Sequence, residues 1–212
     1  MRTSARKRRS LVVALAAFAS IAMPGTADAD APKLGDPAPA FSATDLDGKT
    51  RTLSEFAGRY VVLEWHNQGC PFVKKHYDSG NMQKLQKELT GKGVVWLSVI
   101  SSAPGKQGYV TPGEEKRYLA AKDAVPTTVL FDPEGAVGRA YGAKTTPHMF
   151  VIDDKGVLVY AGAIDDNPSP DAADAATAKN YVRAAYEEAS AGKPVTAAST
   201  PPYGCGVKYQ TR

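Results

Sequence analysis

The chain has 212 residues, 43% of them hydrophobic, with 26 lysines and arginines against 22 aspartates and glutamates, and two cysteines. Residues 1–29 hold five of the cationic side chains and one acidic one, so the rest carries 21 of each. The apparent basicity therefore offers no support for nucleic-acid binding, and the remaining length suits one domain with a proper core.

Arg2, Arg6, Lys7, Arg8 and Arg9 head an uncharged apolar run from Leu11 to Met23, followed by Pro24, Gly25 and Ala27-Asp28-Ala29. A basic head, a short apolar stretch and an A-x-A site predict a secretory signal peptide over 1–29. Arg8-Arg9 is also a partial twin-arginine pattern. The run falls short of the roughly 20 residues of a membrane span. The expectation is an exported protein, periplasmic or extracellular, with no stable membrane insertion after cleavage. Such a compartment lets disulfides persist, and two cysteines allow one bridge.

Ala38 to Leu53 reads as two extended segments joined at Asp45-Leu46-Asp47-Gly48-Lys49, where Asp-Gly is a turn signal. Arg59 to Trp65 is apolar and β-branched, which predicts a buried strand. A helix is expected from Pro71 to about Thr90, interrupted near Ser79-Gly80, with Met82, Leu85 and Leu89 on its apolar face. Val94 to Ile100 is a second buried strand. Thr111 to Ala124 is a charged helix opened by Thr111-Pro112, with Glu114 and Glu115 in its first turn. Thr127 to Phe131 is a third strand, a short helix falls within 133–141, and Met149–Asp153 and Val157–Ala161 form a hairpin. One alanine-rich helix is expected over Ala173–Ala191. A polar tail, 193–212, ends in Tyr203-Gly204-Cys205-Gly206-Val207-Lys208-Tyr209. Strands alternating with helices, then a hairpin and a helix, indicate an α/β sandwich around a mixed sheet.

Cys70 stands where the strand ending at Trp65 runs into the helix opening at Pro71. Unpaired N–H groups at a helix N-terminus favour thiolate, and can pull a thiol pKa from about 8.5 into the range of roughly 3.5–7.5. Pro71 fits the first helical position, where a missing N–H costs nothing. The alternative is a buried structural cysteine. Glu64 is a carboxylate inside an apolar strand, a rare thing unless it is paired or functional. It is therefore either a proton-transfer group or half of a buried pair. Lys74 and Lys75 are expected on a solvated helix face. His66, His76 and His148 match no compact ligand spacing, so neither metal nor other cofactor is expected.

Taken together, Asp45-Leu46-Asp47-Gly48, the strand–Cys70–helix junction and the run from Thr145-Thr146-Pro147 to Asp153 resemble the thioredoxin fold. More narrowly they resemble the redoxin (alkyl hydroperoxide reductase/thiol-specific antioxidant) group, over residues 33–192. The Cys-Pro-Phe-Val-Lys-Lys-His-Tyr segment with the C-terminal Gly-Cys is similar to one exported branch of it. The resemblance implies a thioredoxin-like sandwich: a central mixed β-sheet flanked by helices, a closing β-hairpin and a C-terminal helix. It implies Cys70 as nucleophile, Glu64 as a buried proton-shuttling acid and Pro147 as a cis-proline. Thr146, Pro147, Pro71 and Phe72 would then form the surface that holds a substrate chain.

Two departures from the family pattern matter. Thioredoxins keep a second cysteine three residues after the first, where this chain has Val73, so the partner is Cys205 or another molecule. Peroxiredoxins keep Thr or Ser three residues before the cysteine and an Arg near the cis-proline, where this chain has Asn67 and Pro147. The resemblance thus implies a thiol–disulfide oxidoreductase with a Cys70–Cys205 disulfide and Cys205 as resolving partner. Its partners would be protein thiols and disulfides, or a small peroxide, together with an electron donor. The alternatives are a peroxiredoxin-like peroxide reductase, or a binding domain in which the Cys70–Cys205 bridge is a permanent staple.

Overall fold

In the computed structural model, which describes residues 31–211, strand β3 (Val61–Trp65) is buried at every position because it runs through the middle of a sheet covered on both faces. The signal peptide expected over 1–29 lies outside the described residues. The sheet order is β2 (Thr50–Thr52), β1 (Ser42–Asp45), β5 (Thr128–Phe131), β4 (Val95–Ile100), β3, β7 (His148–Ile152) and β8 (Leu158–Gly162). Strands β3, β4 and β5 are parallel, while β1, β2, β7 and β8 run antiparallel to their neighbours. This is the thioredoxin-like α/β sandwich with a mixed sheet and a closing hairpin.

Alternation along β3 sorts the core into two layers. Val61, Leu63 and Trp65 point to one side and pack with Phe41, Phe56, Leu97, Phe150 and helix α4 (Ala136–Ala140). Val62 points to the other, beneath α1 (Pro71–Asp78), α2 (Asn81–Gly91) and α5 (Tyr181–Ser190), whose Val73, Tyr77, Met82, Leu85, Leu89 and Val182 fill that layer. Each fully buried aliphatic side chain contributes about 1.5–3 kcal/mol. Glu64 shares a face with Val62, because successive strand residues alternate sides. It therefore lies in the layer that also holds Cys70.

Two of the helices start as the sequence leads one to expect. Cys70 is the N-cap of α1 with Pro71 in the first turn, and the helix breaks before Gly80, which sits at φ 73°. Thr111 caps α3 (Pro112–Ala121): its hydroxyl accepts from Glu114 N at 3.3 Å while the Glu114 carboxylate accepts from Thr111 N at 2.7 Å.

One expectation needs correction here. The single helix expected over Ala173–Ala191 is a 3₁₀ turn, Ala172–Ala176, followed by the separate α5. Between them Asn180 forms a backbone bridge with Asp165, and its side chain accepts from Arg183 N at 2.8 Å, which opens a new helix. Tertiary pairing overrides the helix propensity of the alanines here. The segment after α5 folds back onto the body of the domain. Ser199 bridges in parallel to Ala161 on β8, and β9 (Cys205–Gly206) pairs antiparallel with β6 (Thr145–Thr146). No helix among the described residues is long and apolar enough to cross a membrane.

Candidate active site

The turn before Cys70 is built by Asn67. Its Oδ1 accepts from Gly69 N at 2.9 Å, its backbone oxygen accepts from Cys70 N at 3.0 Å, and its Nδ2 donates to Gln107 Oε1 at 2.8 Å. The Cys70 thiol then donates to the carbonyl of Thr146 at 3.0 Å, and the Thr146–Pro147 bond is cis. Cys70 has no solvent exposure. Burial alone would raise its pKa, but hydrogen bonds from the Cys205 thiol, from Val73 N–H in the first turn of α1 and from the Thr146 side chain outweigh it. The Cys70 thiol is held below its ordinary value.

Cys205 arrives on β9 and faces the same carbonyl-rich corner. Its Cα is the register partner of Thr146, and its carbonyl accepts from the Thr146 hydroxyl at 3.4 Å. Both cysteines are free thiols in the structure, and the two lie adjacent. Burial, then the hydrogen bond to Cys70 and the charge that Cys70 takes on, push Cys205 up to about 11. Of the pair, Cys70 ionises first. Gly204 makes the close approach possible: it sits at φ 131°, and a Cβ there would stand 2.1 Å from the Thr146 oxygen.

The surface expected to receive a substrate chain is therefore already covered. Thr146 is buried and its strand β6 is paired with the chain's own β9. Pro71 remains exposed, and the Phe72 ring stacks edge-on against Tyr203 in the tail, with centroids 5.8 Å apart.

Glu64 is fully buried and well supplied with donors. Trp96 Nε1 donates to it at 2.8 Å, Tyr77 OH at 2.9 Å and Ser98 Oγ at 3.0 Å. His66 Nδ1 lies 3.5 Å from Glu64 and His66 Nε2 lies 3.5 Å from Glu115, also fully buried. Desolvation would raise the Glu64 pKa, yet His66, Trp96 and Tyr77 hold it below the carboxylate range. Burial would lower His66, but Glu64, Glu115 and the nearby Cys70 raise it. Burial keeps Glu115 above its ordinary value. His66 thus lies between two buried carboxylates close to the thiol.

Lys75 is a further correction. Lys74 is exposed as expected, but Lys75 is buried, donating to the Asn167 carbonyl at 2.6 Å and lying 3.7 Å from Asp165. The tail creates this pocket: the Tyr203 ring lies 5.6 Å from Lys75 Nζ. Tyr203 OH donates to Asp165 Oδ1, and His76 Nε2 lies 3.1 Å from the same hydroxyl. His148 packs against Phe150 and accepts from Lys144 N at 3.2 Å. Among the described residues no three of the histidines, cysteines and acids converge as metal ligands.

Sequence reasoning missed Asn67 as the builder of the turn, Glu115 as partner of His66, and the Tyr203–Asp165–His76–Lys75 cluster. A tyrosine two positions before Cys205 in a polar tail was the one signal of the last.

A cysteine at a helix N-terminus, set against a cis-proline beside this sheet, defines a thiol-redox domain of thioredoxin type. The chain belongs to the AhpC/TSA family, whose model matches residues 34–161. It is 27% identical over 127 residues to the thiol-disulfide oxidoreductase ResA of Bacillus thuringiensis subsp. konkukian, covering 60% of this chain and 68% of that protein. It is 30% identical over 143 residues to a peroxiredoxin of Aquifex aeolicus, covering 60% of this chain and 59% of that protein. The crystal structure of a hypothetical protein, SMc02350, from Sinorhizobium meliloti 1021 superposes with a TM-score of 0.72 at 26% identity, over 86% of this chain and 98% of that one. The protein is an oxidoreductase acting on thiols.

Proposed function

We propose that this protein is an exported thiol–disulfide oxidoreductase in which Cys70 attacks and Cys205 resolves. The observation that carries the reading is the adjacency of two thiols whose pKa values are driven in opposite directions, Cys70 down and Cys205 up to about 11. The Cys70 thiolate attacks one sulfur of a substrate disulfide, forming a mixed disulfide and releasing the other sulfur as thiolate. Cys205, losing its proton, then attacks Cys70 Sγ. This expels the second substrate thiolate and leaves a Cys70–Cys205 disulfide, so two electrons pass to the substrate. An external dithiol donor restores the two thiols. Thr146, Pro147, Pro71 and Phe72 border the approach to Cys70, and the likeness to ResA supports protein thiols or disulfides as partners. The basic, apolar and A-x-A pattern of residues 1–29 supports export.

The test is turnover of a protein disulfide with a dithiol donor, together with the reduction potential of the Cys70–Cys205 couple. Turnover lost in Cys70→Ser and a potential above about −300 mV support catalysis. Full turnover in Cys70→Ser would remove the mechanism. The likeness to a peroxiredoxin makes peroxide the second oxidant to assay. Asn67 stands at the position of the peroxiredoxin hydroxyl and spends its side chain on Gly69 and Gln107, so peroxide should react no faster than with a free thiol of similar pKa.

A further inference from the structure

The strap that brings Cys205 to Cys70 is anchored most closely at Tyr203, two residues upstream. Three of the groups that hold Tyr203 belong to the helix that begins at Cys70: Phe72, Lys75 and His76. The fourth, Asp165, follows β8. Asn81 Nδ2 donates to His76 Nδ1 at 2.8 Å, so Nε2–H donates to Tyr203 and Tyr203 in turn donates to Asp165 Oδ1. Three of the four contacts tie the tail to the helix that begins at Cys70, and the fourth ties it to the loop after β8, so the strap is fixed chiefly relative to Cys70. Downstream, β9 takes the backbone groups of Thr145 and Thr146.

We propose that Tyr203 is the positioning residue for the Cys70–Cys205 pair, and that the strap it pins closes the Thr145–Thr146 edge to polypeptide substrates until the pin releases. Reading the edge as a place where an extended chain would otherwise add a strand follows from the antiparallel pairing it already makes with β9. The strap, with its glycine pressed on the Thr146 oxygen, is the resident competitor for that place. The proposal rests on the reading of Cys70 and Cys205 as the reacting pair.

The experiment begins in the Cys205→Ser background, where Cys70 is the lone thiol. With Tyr203 present, Cys70 should react slowly with iodoacetamide. Tyr203→Ala should speed the reaction by at least about tenfold, and Tyr203→Phe, which keeps the ring and loses the hydroxyl, by an intermediate factor. In the two-cysteine protein the equilibrium with glutathione is measured: the Cys70–Cys205 disulfide plus two glutathione thiols gives the protein dithiol plus glutathione disulfide. Loss of positioning lowers the effective concentration of Cys205, and a tenfold loss raises the potential by about 30 mV. Unchanged alkylation and an unchanged equilibrium in Tyr203→Ala overturn the proposal; if that variant fails to fold, the same two outcomes in Tyr203→Phe decide it. Neither readout needs a protein substrate, so failure here is distinct from failure of the oxidoreductase reading, which is seen as turnover surviving in Cys70→Ser.

Discussion

The turn that presents Cys70 is built by its neighbours in the chain, whereas the strap that presents Cys205 is held by residues far from it. Asn67, Pro71 and Val73 shape the turn, cap and first-turn N–H of Cys70. Tyr203, which carries Cys205 into place, reaches Asp165 at a separation of 38 residues and His76 at 127. The same thiol chemistry therefore rests on a local device in one region and a tertiary one in the other. A local turn costs little loop-closure entropy, whereas a strap must repay its ordering with specific contacts. The first should survive most single changes around it, and the second should yield to one.

The largest separation of the two regions is expected from the cysteines themselves. Cys70→Ser should cut disulfide turnover by about three orders of magnitude, roughly 4 kcal/mol in activation free energy. Cys205→Ser should still form a mixed disulfide in a single turnover, visible by mass spectrometry, and then stall. Equal single-turnover behaviour in the two variants would erase the distinction.

Next in size is a pH effect that touches both regions. Burial pushes His76, under the strap, and His148, behind Pro147, down to about 4. An unfolded histidine titrates near 6.5, so between those values the unfolded chain binds more protons than the native one. Their contribution is complete above about pH 6.5 and is lost as the pH falls through 4, on the order of a few kcal/mol for each. Urea unfolding at pH 7 and pH 4.5 should show this loss, and His148→Gln should reduce it.

Smaller effects sharpen the comparison within each region. Asn67→Ala removes the bonds to Gly69 and Gln107 and should cost about 1–3 kcal/mol in denaturant unfolding, because it strands buried polar groups. Gly204→Ala should leave the domain nearly as stable while its Cβ lifts the strap from Thr146. Cys70 alkylation should then rise about tenfold, worth about 1.4 kcal/mol. A Gly204→Ala protein with Cys70 still shielded would show that the strap does not do the covering.

Much of the molecule was legible without coordinates because its signals are local. Apolar periodicity marks β3, β4 and the faces of α2 and α5, Pro71 marks the start of α1, and Thr111 with Glu114 marks that of α3. Cys70 at a helix start was readable from its immediate neighbours for the same reason, and the cis Pro147 from the family resemblance. The alanine-rich stretch misled because Asn180 answers to Asp165, a partner that propensity does not see.

By itself the sequence determined the sheet, most of its helices, the cysteine at a helix end and the possibility of one Cys70–Cys205 pair, since side-chain period and capping chemistry act within a few residues. Only the tertiary structure decided that Lys75 is buried, that His66 lies between Glu64 and Glu115, and that the tail returns to cover Thr146. Those outcomes depend on which distant groups can satisfy one another once water is excluded, and burial leaves each charge or hydroxyl no alternative to the partner the fold brings.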